Sequence, residues 1–355
     1  MSKGNNRIPK IGITIGDLNG VGAELILNTF KEGNFLQFFT PVIYASAPTI
    51  IYHKNHLGIK QFSFQTIDNA DGIQPKRVNL INAWEGEVKI EIGVPDRSTG
   101  SAALQSLQKA AADLKEGKID GLVTCPINKE TIQSSSFKFP GHTEYLGNLF
   151  ETDNYLMMMV GEQLKLATVT GHIALKEVPE AVTKKKILKA LKILNQSLIE
   201  DFGIERPKIA VLGLNPHAGE NGLLGNEESE NIQPAIDEAN RQKILAFGPY
   251  PADGFFGTCM HSGFDAVLTM YHDQGLVPFK LLEFENGVNY TAGLPALRTS
   301  PDHGTAYQIA GKGIANTQSF KEAMFLISKI IRNRAMHSES TAQPLENKKA
   351  QLKDD

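Results

Sequence analysis

The sequence predicts an α/β fold built on a largely parallel sheet, and three observations carry that prediction. Strand-like apolar runs at about 10–15, 41–46, 120–124, 155–160, 164–170, 208–214 and 265–271 alternate with helical patterns, as they do in strand–helix–strand units. Those runs are short and free of polar alternation, so both faces of the sheet are expected to be covered. A chain of 355 residues, 41% hydrophobic and 21% charged, supplies enough apolar surface for one large α/β unit or two medium ones.

The opening segment GITIGDLNGVGAELIL is strand, glycine loop and helix. Its Gly16, Gly20 and Gly22 are spaced GxxxGxG and not GxGxxG, so a tight strand-to-helix turn is expected there and not a dinucleotide fingerprint. The clearest helices cover 100–116, 179–202 and 317–335. The second opens with Pro179 in its first turn and stops before Gly203, the usual asymmetry of helix ends. Residues 336–355 are polar and nearly free of large apolar groups, which predicts a frayed tail.

Charge and cysteine usage exclude several classes. A formal net charge of −3, with no Lys/Arg stripe interleaved with aromatics, gives no field for nucleic acid. KKK at 184–186 falls in a helical pattern and reads as a solvated face. Cys125 and Cys259 cannot form a disulfide framework, which suits a reducing compartment. MSKGNNRIPK has no apolar signal core, and no stretch approaches the ~18 apolar residues of a membrane span. A soluble, cytoplasmic protein is expected.

Three of the apolar runs end in a histidine: KLATVTGH at His172, IAVLGLNPH at His217 and AVLTMYH at His272. Ligands of open α/β sheets sit at the carboxyl ends of the strands, and three imidazoles delivered there make a divalent-metal site with a position left for substrate. The separations of 45 and 55 positions match no local ligand motif, and a strand-end histidine on its own is more often a hydrogen-bonding residue. FPGHTEYLG sets His142 and Thr143 at a helix start, where free N–H groups and the dipole favour a phosphate or carboxylate; a simple Thr cap is the alternative. Lys280, Asn289 and Arg298 offer a point charge, an amide and a planar fork for an anionic substrate, with surface salt bridges as the alternative. Asp253 in PADGFF is a candidate proton acceptor or supporting carboxylate, or else a turn residue.

Five motifs, VTCPINKE, FPGHTEYL, GLNPHAGENG, YHDQGLVPFK and RTSPDHGTAYQIAGKG, occur in this order between residues 8 and 333. In that order and at those separations they resemble the 4-hydroxythreonine-4-phosphate dehydrogenases of pyridoxal phosphate biosynthesis. The resemblance implies metal ligation by His172, His217 and His272, and substrate contacts from His142, Thr143, Lys280, Asn289 and Arg298. HGTAYQIAGKGIAN at 303–316 is also similar to the adenosine-binding loop of isopropylmalate and isocitrate dehydrogenases. That likeness implies a three-layer α/β/α fold with two subdomains flanking a cleft, here a single catalytic unit over 1–335. It also implies nucleotide contacts from His303, Gly304, Thr305, Gln308 and Asn316. Gln308 stands where isopropylmalate dehydrogenases carry an Asp toward the ribose, so a choice of NAD over NADP is less marked than dehydrogenation itself. TIGDLNGVGAE replaces the proline-rich opening of many members, and ENGVN lacks a basic residue common there.

The implied activity is oxidation of 4-phosphooxy-L-threonine by NAD or NADP, with one divalent ion (zinc, magnesium or cobalt), followed by decarboxylation to 3-amino-2-oxopropyl phosphate. The implied assembly is a homodimer whose site is shared, His172 and His217 of one chain meeting His272 of the other. A dehydrogenase of 4-phospho-erythronate or 4-phospho-threonate is the nearest alternative. A metal-dependent hydrolase is a remote one, which the nucleotide-like loop argues against.

Overall fold

The computed structural model describes residues 7–135 and 137–342. Twelve strands form one sheet: β1 Lys10–Thr14, β2 Thr40–Ala45, β3 Gln65–Ile67, β4 Asn79–Asn82, β5 Gly121–Thr124, β6 Leu156–Val160, β7 Lys165–Thr168, β8 Lys208–Leu212, β9 Leu245–Tyr250, β10 Ala266–Thr269, β11 Val288–Ala292 and β12 Arg298–Pro301. The helices are α1 Gly22–Phe30, α2 Ala47–His56, α3 Arg97–Lys115, α4 His142–Leu149, α5 Val178–Ala181, α6 Lys184–Glu200, α7 Gln233–Arg241, α8 Ala252–Gly257, α9 His272–Glu283 and α10 Gln318–Ala342. No helix among the described residues is long and apolar enough to cross a membrane.

The strand order is β3-β4-β2-β1-β5-β12-β11-β6-β7-β10-β8-β9. Pairing is parallel from β3 to β12 and from β7 to β9. Between them β12/β11, β11/β6 and β6/β7 are antiparallel. Those three reversals turn the two parallel halves in opposite directions, so the carboxyl ends of β7, β8 and β10, which are parallel to one another, lie on the edge opposite to those of β1, β2 and β5.

Alternate residues of each strand serve opposite faces, and the core divides accordingly. Ile11, Ile13, Ile43, Val123, Met158, Ile209, Val211, Leu268 and Tyr290 pack with residues of α1, α6, α7 and α10. Val42, Tyr44, Leu122 and the α3 residues form a core on the other face, where Met159, Leu166, Ala210 and Val267 pack with α8 and α9. The result is the expected three-layer α/β/α arrangement.

All seven expected strands are present, and β3, β4, β9, β11 and β12 are additional. The helix expected over 179–202 is instead α5 and α6, because Thr183 adopts an extended conformation and its hydroxyl accepts from Lys186 N to cap α6. The helix expected to stop at 335 continues to Ala342; the rest of the expected frayed tail lies outside the described residues. At the amino end, Gly16 has φ +72 and Gly22 opens α1 where a Cβ would meet Ile15 O at 2.0 Å. This is the tight strand-to-helix turn read from the glycine spacing.

Candidate active site

Four of the five candidate anion-binding residues, His142, Thr143, Asn289 and Arg298, converge at the middle of the sheet. Arg298 opens β12 and is only 4% exposed. Its Nε and Nη2 donate to Thr124 Oγ1 at 3.0 and 2.7 Å, and its Nη1 donates to Asn289 Oδ1 at 3.1 Å and Thr291 Oγ1 at 3.5 Å. Nη2 also lies 3.3 Å from His142 Nδ1. Every one of these partners is neutral. Burial pushes the guanidinium down to about 10, against the opposing pull of Glu144.

Asn289 and Thr291 alternate with Tyr290, whose ring belongs to the opposite core, so both side chains turn toward α4 and Arg298. Thr143 follows His142 in the first turn of α4, its hydroxyl 3.4 Å from Thr291 Oγ1. Gly141 occupies the cap position without a side-chain bond, so Thr143 is not the cap and its hydroxyl is turned to the site. His142 is held well below the ordinary histidine range by burial, then by the charges of Arg298 and Lys129. The ring is therefore neutral at physiological pH, and its buried Nε2 has no hydrogen-bond partner among the described residues.

Lys280 sits two turns along α9 from His272. Its Nζ is 3.1 Å from Asp302 Oδ2 and 3.4 Å from Asp302 O. Burial raises the Asp302 carboxyl and lowers His303, the neighbouring ring.

The strand-end histidines behave differently from the anion cluster. His172, beyond β7, and His272, at the start of α9 beyond β10, have ring centroids 5.4 Å apart. Burial, then Lys129 and His272, lower the His172 basicity. His272 Nδ1 is 2.7 Å from Asp273 Oδ1. His217 lies exposed in a run from His217 to Asn221 with five consecutive positive φ values between 43° and 80°, backbone that L residues adopt at a cost. Among the described residues no three His, Cys, Asp or Glu side chains come together as a metal set. Two members of the expected triad, His172 and His272, thus lie together in one chain, and His217 does not join them.

The nucleotide-like loop is pinned from beneath. Both carboxylate oxygens of Glu24, 2% exposed on α1, accept backbone N–H groups of the loop, from Gly311 at 3.0 Å and Ala315 at 2.8 Å. Thr305 O accepts from Val21 N at 3.0 Å, and Tyr307 Oη donates to the buried Asp17 at 2.8 Å. Gly304, Gln308 and Asn316 remain exposed, and Asn316 Oδ1 accepts from Gln318 N at the start of α10.

Asp253 is exposed in the first turn of α8, which packs against the turn holding His217; no hydrogen bond or ion pair to it occurs among the described residues. Four supporting residues escaped the sequence reading: Thr124, Asp17, Glu24 and Glu228. The last is buried and accepts from Leu214 N at 2.7 Å, Asn215 N at 2.8 Å and Asn215 Nδ2 at 3.0 Å, anchoring the strand end before His217. Lone acids and threonines carry no spacing signal, although Thr124 stands inside the VTCPINKE motif.

Comparison with known proteins agrees with this geometry. The family model of the pyridoxal phosphate biosynthetic protein PdxA matches residues 37–327. The 4-hydroxythreonine-4-phosphate dehydrogenase of Bacteroides thetaiotaomicron is 47% identical over 347 residues, covering 98% of this chain and 95% of that protein. Its counterpart in Aquifex aeolicus is 44% identical over 322 residues, covering 91% and 98%. The crystal structure of 4-hydroxythreonine-4-phosphate dehydrogenase from Klebsiella pneumoniae superimposes with a TM-score of 0.80 at 34% identity, covering 92% of this chain and 99% of that one. Motif residues gathered around a buried guanidinium, a family model spanning most of the sequence and relatives matched along nearly their full lengths lead to one conclusion: this chain belongs to the PdxA family.

Proposed function

We propose that this chain oxidises the hydroxyl of 4-phosphooxy-L-threonine with NAD or NADP and releases carbon dioxide to give 3-amino-2-oxopropyl phosphate. The observation that carries this reading is Arg298, a buried cation whose hydrogen-bond partners are all neutral. A charge left in that state is arranged to receive an anion. Beside it, neutral His142 and the hydroxyl of Thr143 supply further polar contacts, and Lys280 supplies a second cation. Together they would hold the phosphate and carboxylate and fix which carbon faces the nicotinamide.

His172, His217 and His272 are proposed to hold one divalent ion, and imidazole donors suit zinc or cobalt better than magnesium. When bound, such an ion supplies the Lewis acidity that eases loss of the hydroxyl proton and of carbon dioxide. Asp253 is the protein group proposed to accept that proton, because its helix adjoins the His217 turn. The third imidazole is proposed to come from a second copy of the chain. Large apolar residues stand exposed just after each histidine: Ile173 and Leu175, Leu223 and Leu224, and the α9 stripe of Val277, Leu281 and Phe284, of which Leu281 is 81% exposed. Exposed apolar surface around an incomplete polar site fits a homodimer closing over it.

The functional test is a substrate panel with NAD, following reduced nicotinamide and carbon dioxide. Turnover of 4-phosphooxy-L-threonine with release of both is expected. Turnover confined to 4-phospho-erythronate or 4-phospho-threonate would replace this reading with the related one.

The loop at 303–316 is proposed to hold the adenosine end of the nucleotide, since its backbone is fixed by Glu24 while Gln308 faces solvent. A neutral Gln308 does not repel a 2′-phosphate, so only a modest preference for NAD is expected. Gln308→Asp should strengthen it by weakening NADP. The ratio of kcat/KM for the two nucleotides checks this; an unchanged ratio would put the ribose elsewhere.

A further inference from the structure

We propose that Thr124 is a positioning residue for substrate binding: its hydroxyl accepts from Nε and Nη2 of Arg298 and holds the guanidinium while the substrate anion docks at Nη1 and Nη2, taking the place of the Asn289 and His142 contacts there. The proposal rests on the functional reading above and specifies how its anion is held. A guanidinium offers two edges with paired, parallel N–H groups, and either can take a carboxylate or phosphate in bidentate fashion. In this site the inner edge is already taken. Thr124, the last residue of β5 and 0% exposed, accepts from both Nε and Nη2 with a single oxygen, at 3.0 and 2.7 Å. A hydroxyl there satisfies two buried donors without neutralising the charge, which a carboxylate in the same place would do.

The other edge faces the residues already assigned to substrate. Nη1 reaches Asn289 Oδ1 at 3.1 Å, and Nη2 lies 3.3 Å from His142 Nδ1. Thr124 thereby helps to fix the rotation of the guanidinium plane, and it stays in place when an anion replaces the Asn289 and His142 contacts. The β5/β12 register, which pairs Arg298 with Leu122 and Thr299 with Val123, fixes the height at which the two side chains meet. Without the hydroxyl, two buried N–H groups lose their acceptor and the fork is held from its Nη1 side and His142 alone.

Thr124→Val keeps the side-chain shape and removes the hydroxyl, so KM for 4-phosphooxy-L-threonine should rise on the order of tenfold while kcat changes less. Thr124→Ser should restore KM to near the wild-type value. In an Arg298→Lys background, which has no Nε/Nη2 edge, Thr124→Val should add little further loss, as a double-mutant cycle reads directly. Circular dichroism checks the fold, and Thr124→Ala serves the same comparison should the Val variant not fold. Binding of inorganic phosphate by calorimetry runs in parallel and needs no turnover, with the same loss and recovery expected. Failure of the wild type to turn over the substrate would count against the functional reading alone, the phosphate series still deciding the role of Thr124. Unchanged KM and phosphate affinity in Thr124→Val, no recovery in Thr124→Ser, or an equal loss in the Arg298→Lys background would each overturn the proposal.

Discussion

Arg298→Ala is expected to lower kcat/KM for the phosphorylated substrate by about a hundredfold or more. Charge-assisted hydrogen bonds are typically worth ~1.5–3 kcal/mol each, and two of them lost together exceed the ~2.8 kcal/mol that corresponds to two factors of ten. Arg298→Lys should recover only part, because an ammonium keeps the charge but loses the fork. Stability should move the other way. A buried guanidinium whose hydrogen-bond partners are neutral carries a desolvation cost that the nearby Glu144 carboxylate offsets only in part, so Arg298→Met is expected to hold or raise Tm while activity collapses. Steady-state kinetics and thermal melts of the same preparations check both statements. Catalytic efficiency within about threefold of wild type would show that the cation serves the fold and not the substrate.

Mixing two inactive variants is expected to recover activity. His217→Ala and His272→Ala should each lose bound metal and turnover as homodimers, as should His172→Ala, with circular dichroism unchanged. When the first two are unfolded, mixed and refolded, half the dimers are mixed under random pairing. Each mixed dimer has one site carrying both lesions and one carrying neither, so about a quarter of all sites should be intact. Elemental analysis gives a second readout, since metal content should rise with activity. No recovery, with mixed dimers shown by mass spectrometry, would rule out a site in which His217 and His272 come from different chains. Mixing His172→Ala with His272→Ala then decides the partition. Recovery means that these two ligands of a site come from different chains. Its absence means that the pair lying 5.4 Å apart in one chain serves a single site.

The elements legible in the sequence were those with a strong local signal. The seven expected strands are continuous apolar runs whose residues the sheet buries on both faces. The five additional strands lack that signal: β3 is three residues long, β9 contains Gly248 and Pro249, and β12 is RTSP. Arg298 and Asn289 stood out in the sequence as candidate substrate contacts, with a surface role as the alternative because charged and amide side chains are usually exposed. Only the pairing of β12 between β5 and β11 makes them interior. The break between α5 and α6 turns on one hydroxyl at Thr183 that an apolar period does not weigh.

The sequence by itself determined the α/β class, the histidines at three strand ends, the residue types around the anion and, through five ordered motifs, the family. These are properties of local periodicity and of residues within one short segment. The tertiary structure decided the reversal of direction at the centre of the sheet, which sets the carboxyl ends of β7, β8 and β10 on the edge opposite to those of the first half. It also decided that Thr124, Asn289, Thr291 and His142 meet one guanidinium across as many as 174 positions of chain, and that His172 meets His272 without His217. Such contacts depend on strand register and on the order in which strands enter the sheet. Those are fixed by the burial of whole faces and not by any neighbouring residues, so no local pattern encodes them.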